Sequence, residues 1–127
     1  MKELVMYRCE ICGNLICMIE DSGVVPECCG MEMRMITANT EDAAAEKHVP
    51  VMRRDGISVQ IMVGGAPHPM TEAHHINWIL LLTNKGVHFH KLDPSSPPET
   101  TFNIRIDEDV ICVYAYCNVH GLWKNNG

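Results

Sequence analysis

Aromatic side chains are scarce in this chain, with two Trp, three Tyr and two Phe among 127 residues, so any core must be mainly aliphatic. Positive charge is also short: ten Lys and Arg stand against sixteen Asp and Glu, a formal net charge of -6. That balance excludes a general affinity for nucleic acid or anionic membrane, because both need a basic face. Any anion-binding site must be locally positive against an unfavourable overall field. Long apolar runs are missing too, and residues 78–82 fall far short of the roughly 20 needed to cross a bilayer. The first eight residues show neither a sustained apolar stretch nor a small-residue cleavage pattern, so the expected location is the cytoplasm. No internal repeat is visible. Histidine is absent before His48, and cysteine is absent between Cys29 and Cys112. Two separate sites are implied.

The apolar and charged fractions are otherwise ordinary, which places the chain among globular proteins and not disordered ones. Its length allows one domain, or a small domain joined to a medium one. Seven cysteines, an odd number, are better explained in a reducing cytosol as metal ligands or free thiols than as a disulfide framework. Residues 38–46 are polar or small and read as a linker, with a short helical turn capped by Thr40. The expected organisation is a domain over residues 1–37, a linker over 38–47 and a second domain over 48–127. In the second domain the pattern is of strands. Residues 57–63 alternate and end at Gly64-Gly65, residues 76–82 form a short buried run, and residues 87–92, 101–106 and 110–117 complete the set. Strands at this spacing, separated by turn signals such as Asn84-Lys85-Gly86, predict an all-β sandwich.

Cys9-Glu10-Ile11-Cys12-Gly13 is a knuckle in which two thiolates flank two residues, and Gly13 relieves crowding where amides turn toward the sulfurs. Cys28-Cys29-Gly30 follows at an interval usual for four-cysteine metal sites. Four thiolates suit zinc or a single iron. The competing reading, a redox CxxC with two unrelated thiols, leaves a very short segment with nothing to hold it together. Adjacent cysteines are unusual, since neighbouring side chains must bend to reach one ion. Cys17 is surplus, a free or packed thiol.

The histidines of the second segment lie at strand ends or in loops, where a scaffold presents functional groups. Prolines near His48 and His68 stiffen the backbone there. Cys117 and His120 have a knuckle spacing of their own. His75 stands beside His74, and spacing alone leaves open which of the two binds; neighbours on a strand point to opposite faces, so one should be excluded. His88 and His90 share a strand face and are expected on the surface. Cys112 is expected on the opposite face of its strand from Cys117, as a buried thiol.

The segments CxxC with CCG, EKHVP, HPM and YCNxHG together resemble desulfoferrodoxin, the two-iron superoxide reductase family, over nearly the whole chain. The resemblance implies a desulforedoxin-like N-terminal domain with an iron held by Cys9, Cys12, Cys28 and Cys29. It further implies an immunoglobulin-like β-sandwich with an iron held by His48, His68, His74 and His120 in the equatorial plane and Cys117 as axial ligand. His74 is preferred to His75 on motif register. Glu46 and Lys47 match the residues flanking the open coordination position.

The implied activity is superoxide reductase, in which superoxide takes one electron from ferrous iron and leaves as hydrogen peroxide after two protons arrive. Lys47 would attract the anion, Glu46 would fill the open position once iron is ferric, and the thiolate would tune the iron's potential. Reduced rubredoxin or a similar carrier would supply electrons, with the four-cysteine iron as an accessory redox site. A metal-held domain with little core would gain from pairing with its copy, so a homodimer is expected. The main rival is a zinc ribbon joined to a non-catalytic sandwich that mediates binding. A second rival, an iron oxygenase, commonly uses two histidines and a carboxylate, and the cysteine argues against it.

Overall fold

The computed structural model describes residues 3–40, 48–64 and 68–126, and among these no helix forms. The chain divides into two compact units, Lys2–Thr37 and Ala38–Gly127. The expected linker with its helical turn, and with it Glu46 and Lys47, falls largely on residues 41–47, which lie outside the described residues.

In the first unit β1 (Met6–Arg8) is the centre of a three-stranded antiparallel sheet between β2 (Leu15–Cys17) and β5 (Arg34–Ile36). A separate hairpin pairs β3 (Glu27–Cys28) with β4 (Met31–Glu32). The buried cluster here is small, Tyr7, Cys9 and Met33, with Val5, Ile16, Met18 and Cys28 packed against it. So few apolar groups are too little to fold a segment of this size without a further cross-link.

The second unit is a β-sandwich of the immunoglobulin-like kind. One sheet runs β10-β7-β6 and the other β12-β11-β8-β9. The strands are β6 (Pro50–Asp55), β7 (Ser58–Val63), β8 (Ile76–Thr83), β9 (Val87–Lys91), β10 (Glu99–Asn103), β11 (Val110–Cys117) and β12 (Gly121–Asn125). Alternation decides which side chains meet between the sheets. Val59, Ile61, Val63 and Phe102 from one sheet pack on Ile76, Ile79, Leu81, Val113, Ala115 and Cys117 from the other. Cys112 is fully buried but pairs with Leu82 outside that cluster, on the face opposite Cys117.

Two sequence expectations change here. The run at 101–106 stays extended only to Asn103, because the chain then turns so that Glu108 N donates to Arg105 O at 3.0 Å. Arg54 clamps that turn, its guanidinium donating to the carbonyls of Arg105, Ile106 and Glu108. The second change is His88, which is half-buried and not a plain surface residue. Its Nε2 lies 3.0 Å from the carboxylate of Glu108, a residue only 4% exposed. Thr83 Oγ1 donates to the same oxygen at 2.5 Å and Arg105 N donates to the other at 3.0 Å. His90 is exposed.

The Thr83 hydroxyl, the His88 ring and the Arg105 amide together lower the Glu108 carboxyl to about 2. A carboxyl that is more acidic folded than unfolded contributes stability above its unfolded range, near 4.3, and loses that contribution as pH falls toward 2. Glu108→Gln is therefore expected to lower the melting temperature at neutral pH and to flatten its decline between about pH 4.5 and 2. Thermal melts across that range check it; an unchanged acid limb would show that the carboxylate contributes nothing.

Candidate metal centres

The four cysteines of the first unit bring their sulfurs within 4.8 Å of one another. Cys12 Sγ and Cys28 Sγ are 3.6 Å apart, and Cys28 Sγ and Cys29 Sγ 3.9 Å. These separations exclude disulfides, whose sulfurs stand about 2.05 Å apart. They match the edge of a tetrahedron of thiolates around one ion, about 3.8 Å for bonds of about 2.3 Å. The adjacent pair converges because of its turn. Cys28 faces Met31 in the hairpin register, so Cys29 and Gly30 are a two-residue loop, with φ of 55° and 75°. That is the type I′ turn, which needs left-handed backbone at both positions. Gly30 adopts it without penalty, whereas for Cys29 it is strained.

Donors surround the sulfurs: Cys12 N donates to Cys9 Sγ at 3.4 Å and Asn14 Nδ2 to Cys28 Sγ at 3.7 Å. The Cys12 amide is the main cause that holds the Cys9 thiol at about 6. Cys29 is pushed up to about 12, chiefly by its hydrogen bonds with Cys12 and Cys9, since a second negative charge in the cluster is resisted. An ion that accepts all four thiolates removes that resistance. Cys12 and Cys29 are exposed, so the cluster opens to solvent.

In the second unit His48, His74, Cys117 and His120 likewise bring ligand atoms within 4.8 Å of one another. His68 lies outside that group of four but inside the ring cluster. Ring centroids are 4.6 Å apart for His48 and His68, 4.7 Å for His68 and His74, 5.0 Å for His74 and His120, and 4.7 Å for His120 and His48. Across the figure His48 and His74 are 6.3 Å apart. Four nearly equal edges and one longer diagonal approximate a square of ring centres. Half that diagonal is close to the distance of an imidazole centroid from a bound first-row metal, about 3.2 Å for a bond of about 2.1 Å. His48 Nε2 and His120 Nδ1 are 3.0 Å apart, the separation of two nitrogens at right angles about such an ion. The residues thus bring four imidazoles and a thiol to one place, a larger donor set than the four ligands zinc ordinarily takes.

Each member is held by its surroundings. His68 Nδ1 donates to Pro69 O at 2.7 Å, which leaves Nε2 as the electron-pair donor of the neutral ring. Cys117 is fully buried at the end of β11, where Tyr116 pairs with Trp78 but Cys117 pairs with Ile76. The extra residue, Asn77, makes a bulge beside the thiol. His120 N donates to Cys117 Sγ at 3.4 Å, and its Nδ1 lies 3.8 Å from that sulfur.

The structure places His74 in the square and His75 outside it. His75 Nδ1 donates to Thr71 O at 2.8 Å, and its amide donates to Asn118 Oδ1 at 2.9 Å. Asn118 Nδ2 donates to Ala73 O at 3.0 Å, so one side chain brackets His74 on both sides. Trp123 stacks on His48 with centroids 4.5 Å apart and planes at 16°. Asn118 stands inside the YCNxHG segment, but its task was not legible there. Trp123 belongs to no motif. His48 and His68 are buried, while His120 is exposed, so the square is walled on one side and accessible on another.

The family model for desulfoferrodoxin matches residues 40–126. The chain belongs to the desulfoferrodoxin family. A desulfoferrodoxin of Syntrophotalea carbinolica is 38% identical over 126 residues, covering 99% of this chain and 98% of that one. A superoxide reductase of Thermococcus kodakarensis is 35% identical over 106 residues, covering 70% of this chain and 92% of the other. Among solved structures, the superoxide reductase from Treponema pallidum superposes with a TM-score of 0.83 at 32% identity, covering 97% of this chain and 98% of its own. Family membership and a superoxide reductase fold are therefore established together. Both residue clusters fit the two metal sites of the family.

Proposed function

We propose that this chain reduces superoxide to hydrogen peroxide by one electron, at a mononuclear iron held by His48, His68, His74, His120 and Cys117. A second iron, held by Cys9, Cys12, Cys28 and Cys29, is the accessory redox site. The observation that carries this reading is the square of four imidazoles beside a buried thiol on β11.

When bound, ferrous iron supplies the electron and an open coordination position for a small substrate. The chain does the rest. Four imidazoles and one thiolate would supply five donors and so would leave a six-coordinate iron one place for substrate, and the exposed side at His120 gives a small anion access to the site. Lys47, next to His48 in sequence, offers a point charge that attracts superoxide against the net charge of -6. Glu46, beside Lys47 in sequence, would supply a carboxylate able to close that position once iron is ferric. The His120 amide at Cys117 Sγ moderates how much electron density the thiolate donates. Superoxide, one electron and two protons make one hydrogen peroxide, so each turnover needs an outside electron, supplied by a reduced carrier of the rubredoxin type. A homodimer belongs to the same reading; the exposed Ile19, Val24, Met31 and Met35 of the N-terminal unit support it.

Metal analysis combined with visible spectra tests this reading. Two irons per chain are expected, with thiolate-to-iron charge-transfer absorption after air oxidation that bleaches on reduction. A colourless zinc protein would overturn it and favour the zinc ribbon with a binding sandwich.

A further inference from the structure

Trp123 touches two of the proposed ligands in two chemically different ways. Its ring lies nearly parallel to His48, at 16°, whereas His68 and His120 meet His48 at 65° and 74°. Its Nε1–H donates to the carbonyl of His120 at 3.2 Å. The side chain is 6% exposed and stands opposite Ala115 in the β11–β12 register. β12 is itself pinned at its free edge. Asn39 N donates to Leu122 O at 2.9 Å, and Lys124 N donates to Asn39 O at 2.9 Å, one on each side of Trp123.

We propose that Trp123 is the positioning residue of the second metal centre, fixing the plane of His48 by stacking and the turn of His120 through its N–H. The inference rests on the iron reading given above. An imidazole has two side-chain torsions, and the square is formed only when each ring is turned edge-on to its neighbours. A flat aromatic wall against one face of His48 holds one of those torsions before any ion arrives. The N–H bond acts at a different place. It holds the turn whose amide, His120 N, donates to Cys117 Sγ. If that turn relaxes, the sulfur keeps more electron density for iron, and the thiolate-to-iron transition moves to lower energy.

Two variants of the full chain separate the effects. Trp123→Leu removes wall and donor, and Trp123→Phe keeps an aromatic face but loses the N–H. Ferrous iron is titrated into the apo protein against a chelator, and the spectra of the oxidised forms are compared. Trp123→Leu is expected to weaken iron binding at the second centre by about ten- to a hundredfold, the usual effect of losing a partner that orients a ligand. Trp123→Phe is expected to recover most of that affinity, yet to show the second centre's charge-transfer band displaced to longer wavelength. The bands of the four-cysteine centre serve as an internal reference in both. If both variants bind iron like the parent and keep its band, and only the melting temperature falls, Trp123 is a core residue and the proposal is overturned. Should Trp123→Leu fail to fold, an undisplaced band in Trp123→Phe would overturn it by itself. A parent protein with no second-centre band would instead sink the functional reading beneath it.

Discussion

Cys117→Ser is expected to abolish the charge-transfer band of the second centre and to reduce the rate of superoxide reduction by a hundredfold or more, on the order of the loss seen when a metal site is deprived of a ligand's orientation or charge. The substitution exchanges sulfur for oxygen at a fully buried position in the sandwich core, so the sheet has little reason to rearrange. What changes is chemistry. A thiol becomes a thiolate when it binds a metal and donates strongly, whereas a serine hydroxyl stays protonated near neutral pH and is a poor donor to iron. The square of imidazoles remains and still accepts an ion, but without the electron-rich group that sets its potential. Decay of pulse-generated superoxide and the visible spectrum read the two losses separately, while the four-cysteine bands report that the rest of the protein is intact. Full activity in Cys117→Ser would remove this thiol from the site.

The second large effect is expected at the other end of the chain. Cys9 is 2% exposed and forms the small cluster of its unit with Tyr7 and Met33, besides belonging to the four-sulfur group. Cys9→Ser therefore removes a core atom and a proposed ligand together. Binding at a site of this kind is worth roughly 10–16 kcal/mol in zinc-finger peptides, and in so small a unit that free energy is largely the folding free energy. Metal content should fall from two ions to one per chain, and residues 1–37 should become sensitive to protease while the sandwich keeps its own spectrum. A variant that retains two ions and a protected N-terminal segment would show that this unit folds on its apolar contacts alone.

Neither expectation depends equally on sequence and structure. The Cys9–Cys12 knuckle and the Cys28–Cys29 pair are legible in the chain because the ligands are close in sequence and the chemistry that pairs them is local. How adjacent cysteines share one site is not, since it depends on Cys29 taking a left-handed conformation that its residue type disfavours. Alternation marks β7, whose burial alternates, while β8 and β11 stand out as short apolar runs that are largely buried. β6 and β12 escape it: they lie at sheet edges and carry Arg53, Arg54, Lys124 and Asn125 among their apolar residues. His88 was misplaced for a related reason, as its partner Glu108 is 20 residues away and reaches it only after the β10–β11 turn closes.

By itself, then, the sequence determined the kinds of candidate ligand, their division between two clusters and the family to which the chain belongs, because thiols, imidazoles and their short-range spacing are written residue by residue. Tertiary structure alone decided the square. His48 and His120 are 72 residues apart and meet at 3.0 Å only when β12 returns beside β11. It also decided that His74 joins the square and His75 does not, through Thr71 and Asn118, and that Trp123 stacks on His48. Those choices rest on hydrogen bonds and ring contacts between distant segments, and no spacing along the chain encodes them.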